Sequence, residues 1–545
     1  MPRHGSSRAV PLPAVLTAVL TAALSAALVA CSSGAPPGGA PPGPADDAVV
    51  VTAGGAVRGT TTAEHRRFTA IPYAAAPVGE RRWRSPEPPA PWTGTRDATV
   101  PSTPCPQTWG PNPDGTPQVT GAEDCLQLTV DTPRRAAAPR PVMVFLHGGR
   151  SSGQGGLYDP RRIVTGGDVV VVTVNSRLGA LGALAHPALD DPAVGNFGLA
   201  DQQAALRWVR DNIAAFGGDP GNVTLWGESA GGFDTCAHLA SPSARGLFAK
   251  AIVQSASCAN PVVARDTAEQ RAAAVAAELG CPDPATAPQC LRALPVEALV
   301  GLREADVTTT VFAAVADAPW WPVAGTPLLP VQPGDALRDG TFADVPLIHG
   351  ATRDEMRSRV AAAYDLQGAP VTAERYPAIL ADLFGPEAAR AAVERYPLAA
   401  FSSPSLALAT ALGDQGGMVG SCAQVPVHAA AAAGEPVFGY EFAEPVADVA
   451  GTVPLGAHHG ADVRYFFDST QPGRPPAQRT PQQQRLADRL IGWWTTFART
   501  GSPGPDWPPV PDGGVLSITA AGTAPVDLAV AHHCDLWQRV APPTG

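Results

Sequence analysis

Charged residues are scarce in this sequence, and the basic ones form no extended run. Only 16% of the 545 residues are charged, and the formal net charge is −11. Binding to nucleic-acid phosphates requires clustered positive charge, and the sequence has no extended run of Lys or Arg. We therefore expect no nucleic-acid partner, and the acidic balance is most simply explained by solubility.

Zinc-type cysteine spacing is also missing. None of the nine cysteines belongs to a Cys-x-x-Cys pair, so we predict no metal site, and we expect no cofactor. Apart from Cys31 the cysteines are even in number, which suggests disulfides if the chain is exported. The alternative for a member such as Cys236 is an unpaired, buried small side chain. The positions are Cys105, Cys125, Cys236, Cys258, Cys281, Cys290, Cys422 and Cys534.

Apolar residues, proline and glycine are abundant. Hydrophobic residues make up 45% of the chain, which also contains 60 Pro and 56 Gly. The apolar content is sufficient for a large core, and the Pro and Gly predict many loops and turns. The length allows either several domains or one α/β domain with insertions.

The N-terminus has the layout of an export signal. Arg3, His4 and Arg8 precede a charge-free stretch over 9–30, which is the order of basic and apolar segments in signal peptides. The stretch is long enough for a transmembrane anchor. However, Pro11 and Pro13 shorten its uninterrupted part to 14–30, which favours a signal peptide.

A lipid-attachment motif ends this segment. Residues 28–31, Leu-Val-Ala-Cys, resemble the bacterial lipobox, in which the cysteine becomes the lipidated first residue. The alternative for Cys31 is an incidental cysteine near an ordinary cleavage site. Residues 34–44 are rich in Pro and Gly and are typical of a tether.

These features predict three parts of the chain. They are a signal peptide with lipobox over 1–31, a linker over 32–48 and one folded domain over 49–545. We expect an exported protein whose only membrane contact is a lipid anchor on Cys31, or otherwise a secreted one.

Residues 223–240 carry the pattern of a nucleophilic serine. A β-prone run, Val223–Trp226, leads into Gly-Glu-Ser-Ala-Gly at 227–231, and Phe233–Ala240 has a helical pattern. A strand, Gly-x-Ser-x-Gly and a helix place a serine on a tight turn with its hydroxyl exposed, and the helix N-terminus stabilises developing negative charge. The alternative is a glycine-rich turn without chemistry. We predict that Ser229 is a nucleophile.

A second glycine-rich segment follows a predicted central strand. Val142–Leu146 is fully apolar, as in a buried strand, and His-Gly-Gly-Arg follows at 147–150. In acyl-transfer enzymes, backbone N–H groups of such a loop bind the oxyanion together with the N–H of the residue after the nucleophile. The alternative is an ordinary loop at a strand end. The predicted oxyanion hole consists of Gly148, Gly149, Arg150 and Ala230.

Together these motifs resemble those of the type-B carboxylesterase family, which includes cholinesterases, bacterial nitrobenzyl esterases and the catalytically inactive neuroligins. The resemblance covers about residues 49–540. It implies an α/β-hydrolase fold, with a central, mostly parallel β-sheet flanked by helices and with long insertions that form a cap over the site. Its further motifs are Ile71-Pro72-Tyr73-Ala74, Arg82-Trp83, Glu123-Asp124-Cys125-Leu126, Asn196-Phe197-Gly198-Leu199 with Asp201-Gln202, and residues 494–501.

The resemblance also implies partners for Ser229. Segment 350–355 resembles the family's acid segment and implies Glu355, with Asp354 as the neighbouring rival. Segment 456–462 resembles its histidine segment and implies His459, because the His-Gly-x-acid spacing selects this residue over His458. The order Ser, Glu, His agrees with that of α/β-hydrolases. In this scheme the histidine is the base, and the glutamate orients it.

Two further carboxylates and the disulfide pairing follow from the same resemblance. Glu228 and Asp462 match buried family positions beside the reacting groups and are expected to tune the field around His459; the alternative is surface acidity. The family's disulfide loops imply Cys105–Cys125, Cys281–Cys290 and Cys422–Cys534, and subtraction leaves Cys236–Cys258.

The sequence departs from the family at three places. Arg150 stands where a third glycine is common, so the geometry of the hole and of the acyl pocket stays open, and Ala256 also replaces a common glycine. Aromatic residues are only 6% of the chain, with Trp109 alone in the loop 105–125. Because quaternary ammonium groups bind to ring faces, we expect no choline site.

The resemblance therefore implies a serine ester hydrolase that acts on a small-molecule ester. The alternative is a catalytically silent binding or adhesion protein, as the neuroligins are. The presence of Ser229, Glu355 and His459 favours the hydrolase. The sequence leaves the natural ester and the oligomeric state open.

Overall fold

A computed structural model describes residues 47–111, 117–134, 138–300, 302, 319–415, 417, 419–431, 434–468, 478–510 and 514–540. The predicted signal peptide, Cys31 and nearly all of the linker lie outside these residues, so export and lipid attachment stay predictions. Residues Asp47–Gly545 form one unit by their own contacts, and the first strand begins at Val49. Of the described helices, none combines the length and the apolarity needed to cross a membrane.

The largest sheet of the described residues has 11 strands. In pairing order they are β20 (Gly522–Val526), β19 (Val515–Thr519), β16 (Val437–Phe442), β15 (Leu347–Thr352), β12 (Lys250–Gln254), β11 (Gly218–Glu228), β9 (Arg140–Leu146), β10 (Val170–Val174), β8 (Gln127–Pro133), β4 (His65–Pro72) and β3 (Thr60–Thr61). From β10 across to β19 every neighbouring pair is parallel. The strands β8, β4 and β3 at one edge and β20 at the other pair antiparallel. The predicted central, mostly parallel sheet is confirmed.

Shorter strands and the helices complete the described structure. The small sheets pair β1 (Val49–Thr52), β2 (Gly55–Arg58) and β5 (Thr95–Asp97); β6 (Gln107–Pro111) and β7 (Pro117–Thr120); β13 (Val263–Ala264) and β14 (Val323–Ala324); and β17 (Val446–Ala450) and β18 (Val453–Gly456). The helices are α1 (Arg161–Gly167), α2 (Gly179–Ala183), α3 (Phe197–Asn212), α4 (Ala230–Ala240), α5 (Arg265–Glu278), α6 (Ala287–Ala293), α7 (Pro333–Arg338), α8 (Arg357–Ala363), α9 (Arg375–Phe384), α10 (Pro386–Arg395), α11 (Pro404–Gln415), α12 (Gln424–Ala431), α13 (Pro481–Thr500), α14 (Leu528–Ala531) and α15 (Cys534–Val540).

Helices cover both faces of the central strands. In β9, Val142, Val144 and Leu146 belong to the core that includes residues of α3 and α4, whereas Met143 and Phe145 belong to the core that includes residues of α13. Successive side chains of a strand point to opposite faces, so an uninterrupted apolar run is what a sheet buried on both faces requires. All seven residues of β9 are buried, as the sequence predicted for Val142–Leu146.

Long insertions interrupt the order of the sheet. The connection from β12 to β15 contains α5–α7, and the connection from β15 to β16 contains α8–α12. Part of the first insertion, 303–318, lies outside the described residues. The cap over the site therefore stays a prediction.

Four disulfides join described cysteines: the three pairs that the resemblance implied and the fourth that subtraction left. They are Cys105–Cys125, Cys236–Cys258, Cys281–Cys290 and Cys422–Cys534. Cys236 is thus paired and links α4, the helix after Ser229, to the segment after β12. Cys422 and Cys534 are 112 residues apart, and closing a long loop restricts the unfolded chain most, with typical gains of about 2–4 kcal/mol per disulfide.

Candidate active site

Ser229 occupies a sharp turn between β11 and α4. Its backbone has φ 56° and ψ −121°, a conformation that costs a non-glycine residue about 1–3 kcal/mol. Two hydrogen bonds hold the turn, because Ser229 N donates to Gln254 O at 2.9 Å and Phe233 N donates to Ser229 O at 3.1 Å. The observed strand, turn and helix agree with the prediction, although α4 begins at Ala230 rather than Phe233.

The glycines around Ser229 are required by close backbone contacts. A Cβ at Gly227 would lie 2.0 Å from the carbonyl oxygen of Gly231, and a Cβ at Gly231 would lie 2.1 Å from that of Leu146. Both distances are far below van der Waals contact and both neighbours are main chain, so no side-chain movement relieves them. The Gly-x-Ser-x-Gly pattern thus lets α4 pack directly on β11 and β9 behind the serine.

His459 lies beside Ser229, in the loop after β18. Its Nε2 is 2.8 Å from Ser229 Oγ, and its Nδ1 is 2.5 Å from Glu355 Oε2. Glu355 follows β15, and its other oxygen accepts a hydrogen bond from Thr352 N at 2.9 Å. Nδ1 donates to the carboxylate, so Nε2 is left to accept a proton from the serine hydroxyl.

The opposite charges of Glu355 and His459 stabilise each other. Burial alone would raise the pKa of Glu355, but the charge of His459 and its hydrogen bond lower that pKa below the ordinary value. Burial alone would lower the pKa of His459, but the charge and hydrogen bond of Glu355 raise it above 6.5. The glutamate is therefore ionised and stabilises a proton on the imidazole.

Asp354 and His458, the sequence neighbours of Glu355 and His459, make other contacts. Asp354 is 2.8 Å from Arg357 Nη2 and accepts a hydrogen bond from Ala457 N. His458 donates through Nδ1 to the carbonyl of its neighbour, and its Nε2 is 3.5 Å from Asp448. The contacts of Asp354 and His458 are thus to groups other than Ser229.

Glu228 and Asp462 are buried at the site, which agrees with the resemblance and not with surface acidity. Glu228 Oε1 lies 3.6 Å from His459 Nε2, and burial raises the pKa of Glu228 to about 7. Burial, and then the charge of Glu355, raise the pKa of Asp462 to about 6. Both carboxylates therefore titrate near neutral pH.

Two polar residues that the sequence motifs did not indicate hold Asp462 in place. Its Oδ2 accepts hydrogen bonds from Gln254 Nε2 at 2.7 Å and from Tyr440 OH at 3.0 Å. The amide oxygen of Gln254 accepts from Trp226 Nε1. Gln254 ends β12 in register with Glu228 of β11. The sequence signal that could have indicated Gln254 is its position as a polar residue at the end of an apolar strand.

The predicted oxyanion loop packs against the nucleophile. A Cβ at Gly148 would lie 2.5 Å from Glu228 Oε2 and 3.1 Å from Ser229 Cβ. Gly149 has φ +89°, which favours glycine. Ala230 is the first residue of α4, and the Arg150 side chain reaches that helix rather than standing apart from it. The loop therefore lies against Ser229 at Gly148, and the Arg150 side chain connects it to Ala230; the oxyanion hole itself stays a prediction.

The described part of the chain has no group of three or more His, Cys, Asp or Glu side chains placed to hold a metal ion. Ser229, His459 and Glu355 instead form one series of hydrogen-bond contacts. Their arrangement is suited to acyl transfer by a serine, a histidine and a carboxylate.

Comparison with known proteins relates the chain to esterases. It matches the model described as the Carboxylesterase family over residues 46–537. It is 38% identical to the para-nitrobenzyl esterase of Bacillus subtilis (strain 168) over 56% of this chain and 63% of that protein, which is less than two thirds of its length. It is 32% identical to the acylcarnitine hydrolase of Mus musculus over 82% of each. A solved structure described as a PNB esterase aligns with a TM-score of 0.73 and 31% identity, over 90% of this chain and 100% of that one. The predicted fold is confirmed.

Proposed function

Because this chain belongs to the carboxylesterase family, we propose that it hydrolyses small-molecule carboxylic esters through an acyl-enzyme on Ser229. The observation that supports this most directly is the continuous chain of contacts from Ser229 Oγ through His459 to Glu355, at 2.8 Å and 2.5 Å. A binding protein on the same scaffold has no need for a serine strained at positive φ that faces a histidine held by a carboxylate.

The reaction has two halves. Ser229 Oγ attacks the ester carbonyl while His459 Nε2 takes its proton, and the same proton then goes to the departing alkoxide, which leaves as the alcohol. Water next gives a proton to His459 and attacks the acyl-serine; as the acyl–oxygen bond breaks and the acid leaves, His459 returns that proton to Ser229 Oγ. Glu355 stabilises the imidazolium in both halves.

The negative charge on the oxygen of the tetrahedral intermediate must be stabilised by hydrogen-bond donors. Backbone N–H groups of Gly148, Gly149, Arg150 and Ala230 are proposed for this role. Each such donor stabilises the transition state by about 3 kcal/mol in enzymes of this chemistry. The N-terminus of α4 adds a favourable dipole at the same place.

The proposal is tested by labelling with a fluorophosphonate, which reacts with activated serines. We expect one label per chain, mapped to Ser229 by peptide mass spectrometry, and competition by 4-nitrophenyl and para-nitrobenzyl esters. A protein that incorporates no label would be the catalytically silent binding protein instead. The values of kcat/KM over esters that differ in acyl length and alcohol bulk then define the substrate.

The pH profile should show an acid limb controlled by His459. The imidazole must be neutral to accept a proton. Its pKa lies above 6.5 because the charge and hydrogen bond of Glu355, with a smaller contribution from Glu228, outweigh burial and the charge of Arg359. Activity should therefore fall as pH drops through that raised pKa. Glu228→Gln removes a carboxylate 3.6 Å from Nε2, so the acid limb of kcat/KM should move to lower pH, by up to about one unit.

The exposed Glu64 provides the matched control, since Glu64→Gln should leave the limb where it is. An unchanged or upward-shifted limb in Glu228→Gln would show that Glu228 is not ionised when His459 titrates.

A further inference from the structure

The side chain of Arg150 joins the two halves of the proposed oxyanion hole. Residue 150 ends the loop 148–150, and its Nη2 donates to the carbonyl oxygen of Ala230 at 3.1 Å and to Asp234 Oδ1 at 2.7 Å. Ala230 supplies the N–H of the other half. One guanidinium therefore connects the loop to the very residue with which the loop must cooperate.

The loop needs such a connection because its own backbone is permissive. Gly148 and Gly149 precede Arg150, and glycine has the widest choice of backbone conformations. The loop main chain is held by Gly179 N, which donates to the carbonyl of Arg150 at 3.0 Å, and by His147 Nδ1, which lies 2.9 Å from the carbonyl oxygen of Gly148. The described contact that joins this loop to Ala230 is that of the Arg150 guanidinium.

The partners of Arg150 are themselves held in place. Asp234 is buried, and its second oxygen accepts from Gln202 Nε2 at 2.6 Å. The amide oxygen of Gln202 lies 2.8 Å from His238 Nε2. Burial lowers the pKa of His238 to about 4, so the neutral ring donates to that oxygen. The carboxylate thus has little freedom to turn away from the guanidinium.

An aromatic ring holds the guanidinium as well. The Cζ of Arg150 lies 4.8 Å from the ring centroid of Trp321, which packs edge-on against Phe233 of α4 at 4.8 Å. The Arg150 side chain is 19% exposed and that of Asp234 5%. In such a partly buried setting a charge-assisted, planar contact is geometrically specific.

We propose that Arg150 is a positioning residue: its side chain, tied to Ala230, Asp234 and Trp321, keeps the backbone N–H groups of the loop 148–150 aligned with the N–H of Ala230. This inference rests on the proposed function. Position 150, where the family commonly has glycine, would thus carry a side chain that orders the oxyanion hole.

The test compares the kcat of variants after normalisation to the amount of reactive Ser229. Arg150→Met keeps the length of the side chain but removes its charge and donors. With 4-nitrophenyl butyrate, kcat per fluorophosphonate-titrated Ser229 should fall about 10- to 100-fold, since misplaced oxyanion donors have effects of this order, while KM stays within about threefold of wild type. The kcat of Arg150→Lys should lie between those of wild type and Arg150→Met.

A second readout separates alignment from folding. A trifluoromethyl ketone forms a tetrahedral adduct with the serine, so its inhibition constant should rise by the same factor by which kcat/KM falls. A side chain that only stabilised the fold would lower the titratable fraction or the melting temperature and leave this constant unchanged per titrated site. Arg210→Met, at a solvent-exposed ion pair, should match wild type in all readouts.

Asp234→Asn provides a second variant in case Arg150→Met does not fold. It should lower kcat less than Arg150→Met does. Combined with Arg150→Met, it should lower kcat by less than about a further twofold, because the two residues act through one contact. The inference is overturned if kcat and ketone affinity of Arg150→Met, or of both Arg150→Lys and Asp234→Asn, stay within twofold of wild type. If Ser229→Ala remained active, the proposed function itself would fail instead.

Discussion

Ser229→Ala is expected to lower kcat for 4-nitrophenyl butyrate by about 10⁶-fold, because removal of the nucleophile from such a constellation has effects of this size. The substitution deletes one oxygen, 2.8 Å from His459 Nε2, and leaves no other group at that position to be acylated. The measurement is the initial rate at saturating ester, with the fluorophosphonate signal as a second readout, which should disappear.

The variant should remain folded. Its thermal midpoint is expected within a few degrees of wild type, since one oxygen atom is lost and the backbone contacts of the turn stay the same. The matched control is Ser402→Ala in an exposed turn, which should retain full rate. A Ser229→Ala protein that kept one hundredth or more of the wild-type kcat would place the nucleophile elsewhere.

Glu355→Gln is expected to lower kcat by about 10⁴-fold, the effect of the equivalent change in other serine hydrolases. The reason is the tautomer of His459. Thr352 N donates to one oxygen of Glu355 at 2.9 Å, so the amide oxygen of a glutamine must face Thr352 and its NH₂ must face His459 Nδ1. The imidazole then accepts at Nδ1 and carries its proton on Nε2, where it cannot take the proton of Ser229.

The neighbouring acid gives an isosteric control. Asp354→Asn changes a carboxylate that pairs with Arg357 at 2.8 Å, and we expect a loss of kcat below about tenfold. The two variants are compared in one kinetic series, with melting temperatures recorded for both. If Asp354→Asn were the more damaging variant, the assignment of the orienting acid to Glu355 would be wrong.

The local pattern at 223–240 was sufficient to predict the strand, the turn and the helix, but their bounds differ. The helix was expected from Phe233 and begins at Ala230, because glycine is a poor helix former and masks the pattern at 231–232. Tertiary packing overrides that preference. The carbonyl of Leu146 approaches Gly231 so closely that only glycine leaves room for α4.

The family resemblance contributed what the residues alone could not. His458 and His459 are adjacent, as are Asp354 and Glu355. The family's His-Gly-x-acid spacing selects His459, and the family's acid segment selects Glu355; side-chain chemistry alone separates neither pair. The same holds for the disulfides, since counting cysteines leaves many pairings open, whereas Cys236 and Cys258 are joined only because α4 folds back beside the end of β12. Gln254 and Tyr440, which hold Asp462, were not predicted at all.

By itself, then, the sequence determined which serine occupies a strained turn and which glycine-rich loop can pack against it, because both depend on the steric size of immediate neighbours. Tertiary structure alone decided which side chains meet that serine and where Arg150 points. His459 is 230 residues from Ser229 and 104 from Glu355 along the chain, so their meeting depends on how the strand ends of the sheet assemble. The direction of Arg150 likewise depends on Asp234 and Trp321, which reach it only through the packing of α4 and the segment at β14.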